Sequence, residues 1–67
     1  MQKYAIKGVN SKTNEQVFEV IEYPNDIVAL IESGMFALIR GCYENYSLYR
    51  INADKTTTKI ELRRKLK

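Results

Sequence analysis

Five side chains toward the C-terminal end have types and spacing that could do chemistry, and the chemistry is recognition of an anion. Lys59, Arg63 and Lys65 lie two or four residues apart. In an extended segment they would project from one face at roughly 7 Å per two-residue step, close to the spacing of successive phosphates on one nucleic-acid strand. Arg50 on the preceding segment could join them, and Tyr46 would add an aromatic ring. Cations beside a ring can contact phosphates and stack a base, and the same residue types are enriched where proteins bind proteins. Lys and Arg on an outer strand also serve solubility and discourage edge-to-edge pairing, so the pattern alone names no partner.

Charge along the chain points the same way. Residues 55 to 67 hold six of the eleven Lys and Arg and one of the eight acids, a net charge of +5. The remaining five cations face seven acids over residues 1 to 54, a net charge of −2. A clustered cationic end creates a local potential that attracts an anionic partner. The positive total argues against a DNA-mimicking inhibitor, which needs a dense acidic surface.

Other chemistries find no footing. Histidine is absent, which removes the commonest general base and zinc ligand. Cys42 is the single cysteine, so no intrachain disulfide forms and a reducing, cytoplasmic location is expected. It reads as a small buried hydrophobe, since a reactive thiol needs a neighbouring base or cation. Glu19, Glu22, Asp26 and Glu32 make neither a metal loop nor a catalytic pair, and Gly8, Gly34 and Gly41 make no phosphate loop. No enzyme activity, cofactor or metal is expected. The apolar runs at 27 to 31 and 35 to 39 fall far below the roughly 20 residues that span a bilayer, so no membrane partner is expected either.

The elements that must position these residues follow from periodicity. Lys3 to Val9 alternates Ala5 and Lys7 against Tyr4 and Ile6, a strand. The polar run 10 to 15 is a hairpin loop, and Gln16 to Tyr23 is a β-rich segment with apolar residues on both faces, an interior strand. Pro24 ends it, Asn25 or Asp26 caps a short helix at about 26 to 33, and Gly34 closes that helix. Met35 to Tyr43 could extend the helix across Gly34 at a cost of about 1 kcal/mol, but the bracketing glycines favour a strand. Tyr46 to Asn52 and Thr57 to Leu66 complete the set, with Tyr46 and Tyr49 on opposite faces.

The expected fold is therefore α+β: one small domain over residues 1 to 67, with an antiparallel sheet of about five strands in ββαβββ order and one short helix on one face. Ile6, Phe18, Val20, Leu30, Ile31, Leu38, Ile51, Ile60 and Leu62 are its expected core. Abundant Lys, Ile, Asn, Glu and Tyr without Trp resembles the usage of a low-GC bacterial or phage gene. The expected function is a phage-like inhibitor or regulator that binds another protein. Nucleic-acid binding through the basic C-terminal strand is the alternative, and a homodimer that completes its small core is a third reading.

Overall fold

The computed structural model describes residues 1 to 61. Strands β1 (Gln2–Val9) and β2 (Gln16–Tyr23) lead into helix α1 (Asp26–Arg40). A single 3-10 turn (Tyr43–Asn45) follows, and then β3 (Tyr46–Ile51) and β4 (Thr57–Ile60). The sheet order is β2-β1-β3-β4 with every pair antiparallel. The molecule measures 34 × 34 × 18 Å, a thickness that admits one helix layer on one sheet layer and nothing more. Each layer therefore keeps one outer face.

Alternation along β1 sets the two faces of the sheet. Tyr4 and Ile6 point to the helix and are fully buried, whereas Lys3 and Lys7 point away and are exposed. Pairing of Lys7 with Phe18 and of Ala5 with Val20 sends Phe18 and Val20 to the same outer side, and Val17, Ile21 and Tyr23 inward. Leu48 of β3 and Ile60 of β4 complete the inner face. The helix meets it with Ala29, Ser33 and Ala37, small residues spaced by four that let the two layers approach closely. Ser33 hands its hydroxyl to the Leu30 carbonyl, so its burial leaves no orphan donor.

Local chemistry fixes the helix ends. Asn25 caps the start, its Oδ1 accepting from the Val28 N–H at 2.9 Å. Past Arg40, Gly41 takes the left-handed conformation at φ 76°. Its N–H donates to the Leu38 carbonyl and the Cys42 N–H to the Ala37 carbonyl, a Schellman closure with Cys42 and Ala37 packed together. The hairpin loop holds this end from outside. Asn10 Oδ1 accepts from the Lys12 and Thr13 N–H groups, Asn10 Nδ2 donates to the Arg40 carbonyl at 2.8 Å, and the Ser11 N–H donates to the Gly41 carbonyl.

Several expectations need correction. The strand expected at 35 to 43 does not exist, because α1 runs through Gly34 to Arg40. Burial of Ser33 and Ala37 on either side of Gly34, with the Gly41 closure beyond, outweighs the roughly 1 kcal/mol that a mid-helix glycine costs. The sheet has four strands in ββαββ order among the described residues, and β2 is an edge strand, not an interior one. Ile6 is buried as expected, and Leu30, Ile51 and Ile60 are half-buried. Phe18, Val20, Ile31 and Leu38 are exposed instead, Phe18 at 60%. For β2 the cause is register: apolar residues on both faces left its direction open, and pairing with β1 turned Val17 inward. Leu62, Arg63 and Lys65 lie outside the described residues.

Candidate interaction surfaces

Arg50 and Lys59, the two described cations of the anticipated basic patch, sit on opposite faces of the sheet. Arg50 pairs with Thr58 across β3 and β4 and faces the helix layer, whereas Lys59 pairs with Tyr49 and faces outward. The Arg50 guanidinium is engaged there: Nη1 donates to Asp26 Oδ2 at 2.7 Å and Nε to Asn52 Oδ1 at 3.3 Å. Asp26 also accepts from the Tyr4 hydroxyl through Oδ1, so both its oxygens are used. Burial, followed by the hydrogen bond and charge of Asp26, pushes the Tyr4 phenol up from 10.0 to about 12. This triad ties β1, the start of α1 and β3 together. It positions the layers, and its two charges are paired with one another.

Tyr46 also faces the helix layer. It packs against both clusters of core residues, its ring 5.9 Å from that of Tyr43. Tyr49 occupies the opposite face, as alternation requires. Arg63 and Lys65 fall outside the described residues, so the extended cationic row beyond Lys59 has no described geometry.

A different cationic surface is assembled by the fold. On the outer face of the sheet Phe18, Val20, Tyr49 and Ile51 form an apolar diagonal over Ala5, and Lys3, Lys7, Lys55 and Lys59 stand on and around it. A shallow groove of about 400 Å³ runs between Phe18, Tyr49, Ile51 and Lys55. The Lys7 ammonium lies 5.9 Å from the Tyr49 ring centroid, within cation–π range. Glu22, paired with Lys3, puts an acid on this face as well. Lys55 is held there by the β3–β4 turn, where it takes φ 73° between Asn52 and Thr56. In the same turn the Thr56 hydroxyl and N–H both donate to Asp54, which keeps that carboxyl below its usual range.

The outer face of α1 is apolar too. Ile27, Ile31, Met35, Leu38 and Ile39 are each more than half exposed, and Tyr43 joins them beyond the helix end. Between this face and β4 lies a groove of about 640 Å³, floored by Leu30, Tyr46, Leu48 and Ile60. No group of three or more His, Cys, Asp or Glu that could hold a metal ion occurs among the described residues. No helix among them is long and apolar enough to cross a membrane. Cys42 is fully buried under the helix end. Comparison with protein-family models, curated proteins and solved structures finds no match to this chain.

Proposed function

We propose that this chain is a small non-enzymatic interaction protein that binds another protein and modulates it, docking through the open face of the sheet. The observation that carries the reading is the arrangement on that face, an apolar diagonal of Phe18, Val20, Tyr49 and Ile51 among four lysines. An apolar centre with a charged surround is the anatomy of a protein interface. The complementary surface is flat, apolar at its centre and acidic at its edge, with the charges steering encounter. A chain that covers such a surface acts by occlusion, the route by which a small inhibitor or regulator works without catalytic groups. The test is an affinity capture from a lysate of the source cells, with wild type and with Lys7→Glu/Lys59→Glu as bait. A protein recovered after nuclease treatment and released by the charge reversal supports the reading. One retained equally by both baits refutes this face.

A second reading rests on the same residues. Phe18 and Tyr49 are rings on a cationic sheet face, the combination that stacks bases while lysines track the phosphates. Titration with single-stranded DNA and RNA at about 50 mM salt, where phosphate contacts are strongest, decides it: a flat titration removes the nucleic-acid reading.

A further inference from the structure

Helix α1 carries charge at only Asp26, Glu32 and Arg40 among its fifteen residues. Asp26 is occupied by Tyr4 and Arg50, and the Arg40 guanidinium lies 5.2 Å from the Phe36 ring centroid at the other end. Between them the side turned from the sheet is a continuous apolar stripe, Ile27, Ile31, Met35, Leu38 and Ile39, with Ile39 exposed at 82%. Glu32 is exposed on the flank toward Tyr23 and leaves the stripe itself uncharged. So wide an apolar surround belongs in an interior, and this helix has an interior on one side only. The stripe and neighbouring Tyr43 expose several hundred Å², beyond a scattering of single surface residues and on the order of the ~800 Å² that one partner contributes to a standard interface.

We infer that a second copy of this chain covers the stripe, helix against helix and antiparallel, in a two-fold dimer. Three features favour a twin over a foreign protein. The stripe runs from Ile27 to Ile39 and is centred near Ser33, so a two-fold axis there sets Ile27 opposite Ile39 and Ile31 opposite Met35, apolar on apolar throughout. The antiparallel arrangement also opposes the two helix dipoles, so that the positive start of each helix lies beside the negative end of the other. The protomer's own core is also small. Tyr4, Ile6 and Leu48 are the large side chains that it buries completely among the described residues, and pairing would add a second apolar layer to a domain of a size that often needs one. The inference goes beyond the function proposed above and leaves the open sheet face free on both copies.

Sedimentation equilibrium of the full chain tests it. Wild type should give twice the 7.8 kDa chain mass, and Ile31→Glu, at an exposed position, should give the single mass with its far-UV circular dichroism kept. If Ile31→Glu fails to fold, oxidation of an equimolar mixture of Ile27→Cys and Ile39→Cys proteins decides. A disulfide joining position 27 of one copy to 39 of the other is expected, and its absence overturns the antiparallel pairing. Wild type of single mass at every concentration overturns the dimer, including the case in which that single chain floats with phosphatidylcholine vesicles. A dimer that survives Ile31→Glu but is split by Phe18→Glu overturns the choice of surface. Lysate capture through Lys7 and Lys59 reads a different face, so either proposal can fail while the other stands.

Discussion

Tyr4 is the residue through which three elements communicate. Its ring is fully buried, 5.7 Å from the Tyr23 ring, and its hydroxyl reaches Asp26, which also holds Arg50. The raised phenol has a consequence for alkaline stability. The folded group keeps its proton up to about 12 while the unfolded chain releases its own near 10.0, so the unfolded state binds fewer protons between those values. Stability from Tyr4 is whole below pH 10 and is lost as pH rises toward 12, at a rate near 1.4 kcal/mol per unit. Tyr23, raised by burial and then by the charge of Glu32, adds to the loss with the same sign. Urea unfolding across this range should show the fall, and Tyr4→Phe should flatten part of it. An unchanged slope in Tyr4→Phe would mean that the phenol is not buried and bonded as described.

At the scale of elements, Gly34 is where the expected and observed architectures part. A glycine between two apolar runs resembles a helix stop, and the stop that operates here is the next glycine, Gly41, with its positive φ. The distinction depends on Asn10, Ser33 and Ala37 packing or bonding across the fold, which local pattern does not contain. Gly34 itself has room: a Cβ there would meet Tyr46 Oη at 3.5 Å and Tyr43 Cε1 at 3.6 Å, ordinary contacts. Gly34→Ala should therefore stabilise the fold by up to about 1 kcal/mol through helix propensity. That is a rise in Tm of roughly 4 to 8 °C for a domain of this size, read by thermal melting, and a fall would place an unseen constraint at this position. Gly8 differs. A Cβ there would lie 2.8 Å from the Asn45 carbonyl oxygen, a close approach of β1 to the 3-10 turn that requires the missing side chain.

For the molecule as a whole, two layers give two outer faces, and both carry large apolar side chains. The strands around the hairpins and the α+β class were legible because alternation and turn residues are local signals. Site geometry was not, because charge read segment by segment hides segregation by face. Residues 1 to 54 sum to a negative charge, yet Lys3, Lys7 and β4's Lys59 share one side of the sheet while Glu19 points to the other. Arg50 was a visible cation, but the partner that pairs with it, Asp26, lies 24 positions away. Phe18 shows the cost of an unresolved register. Were it central, truncation would cost about 3 to 5 kcal/mol. At 60% exposure, Phe18→Ala should shift the urea midpoint by the equivalent of about 1 kcal/mol or less. A collapse of stability in that variant would return Phe18 to the core and reverse the facing of β2.

The bonding of Asn10 has a consequence for anyone who alters this chain. A polar loop such as 10 to 15 is ordinarily the first place to graft a peptide or a tag, since exposed loop tips accept insertions. Here the loop clasps the end of the helix through Asn10 Nδ2 and the Ser11 N–H, so a graft between them would unfasten α1 from the first hairpin. The turn at 53 to 55 makes its bonds within its own hairpin, between Asn52 and Thr56, so a graft there leaves α1 fastened but displaces Lys55 from the open sheet face.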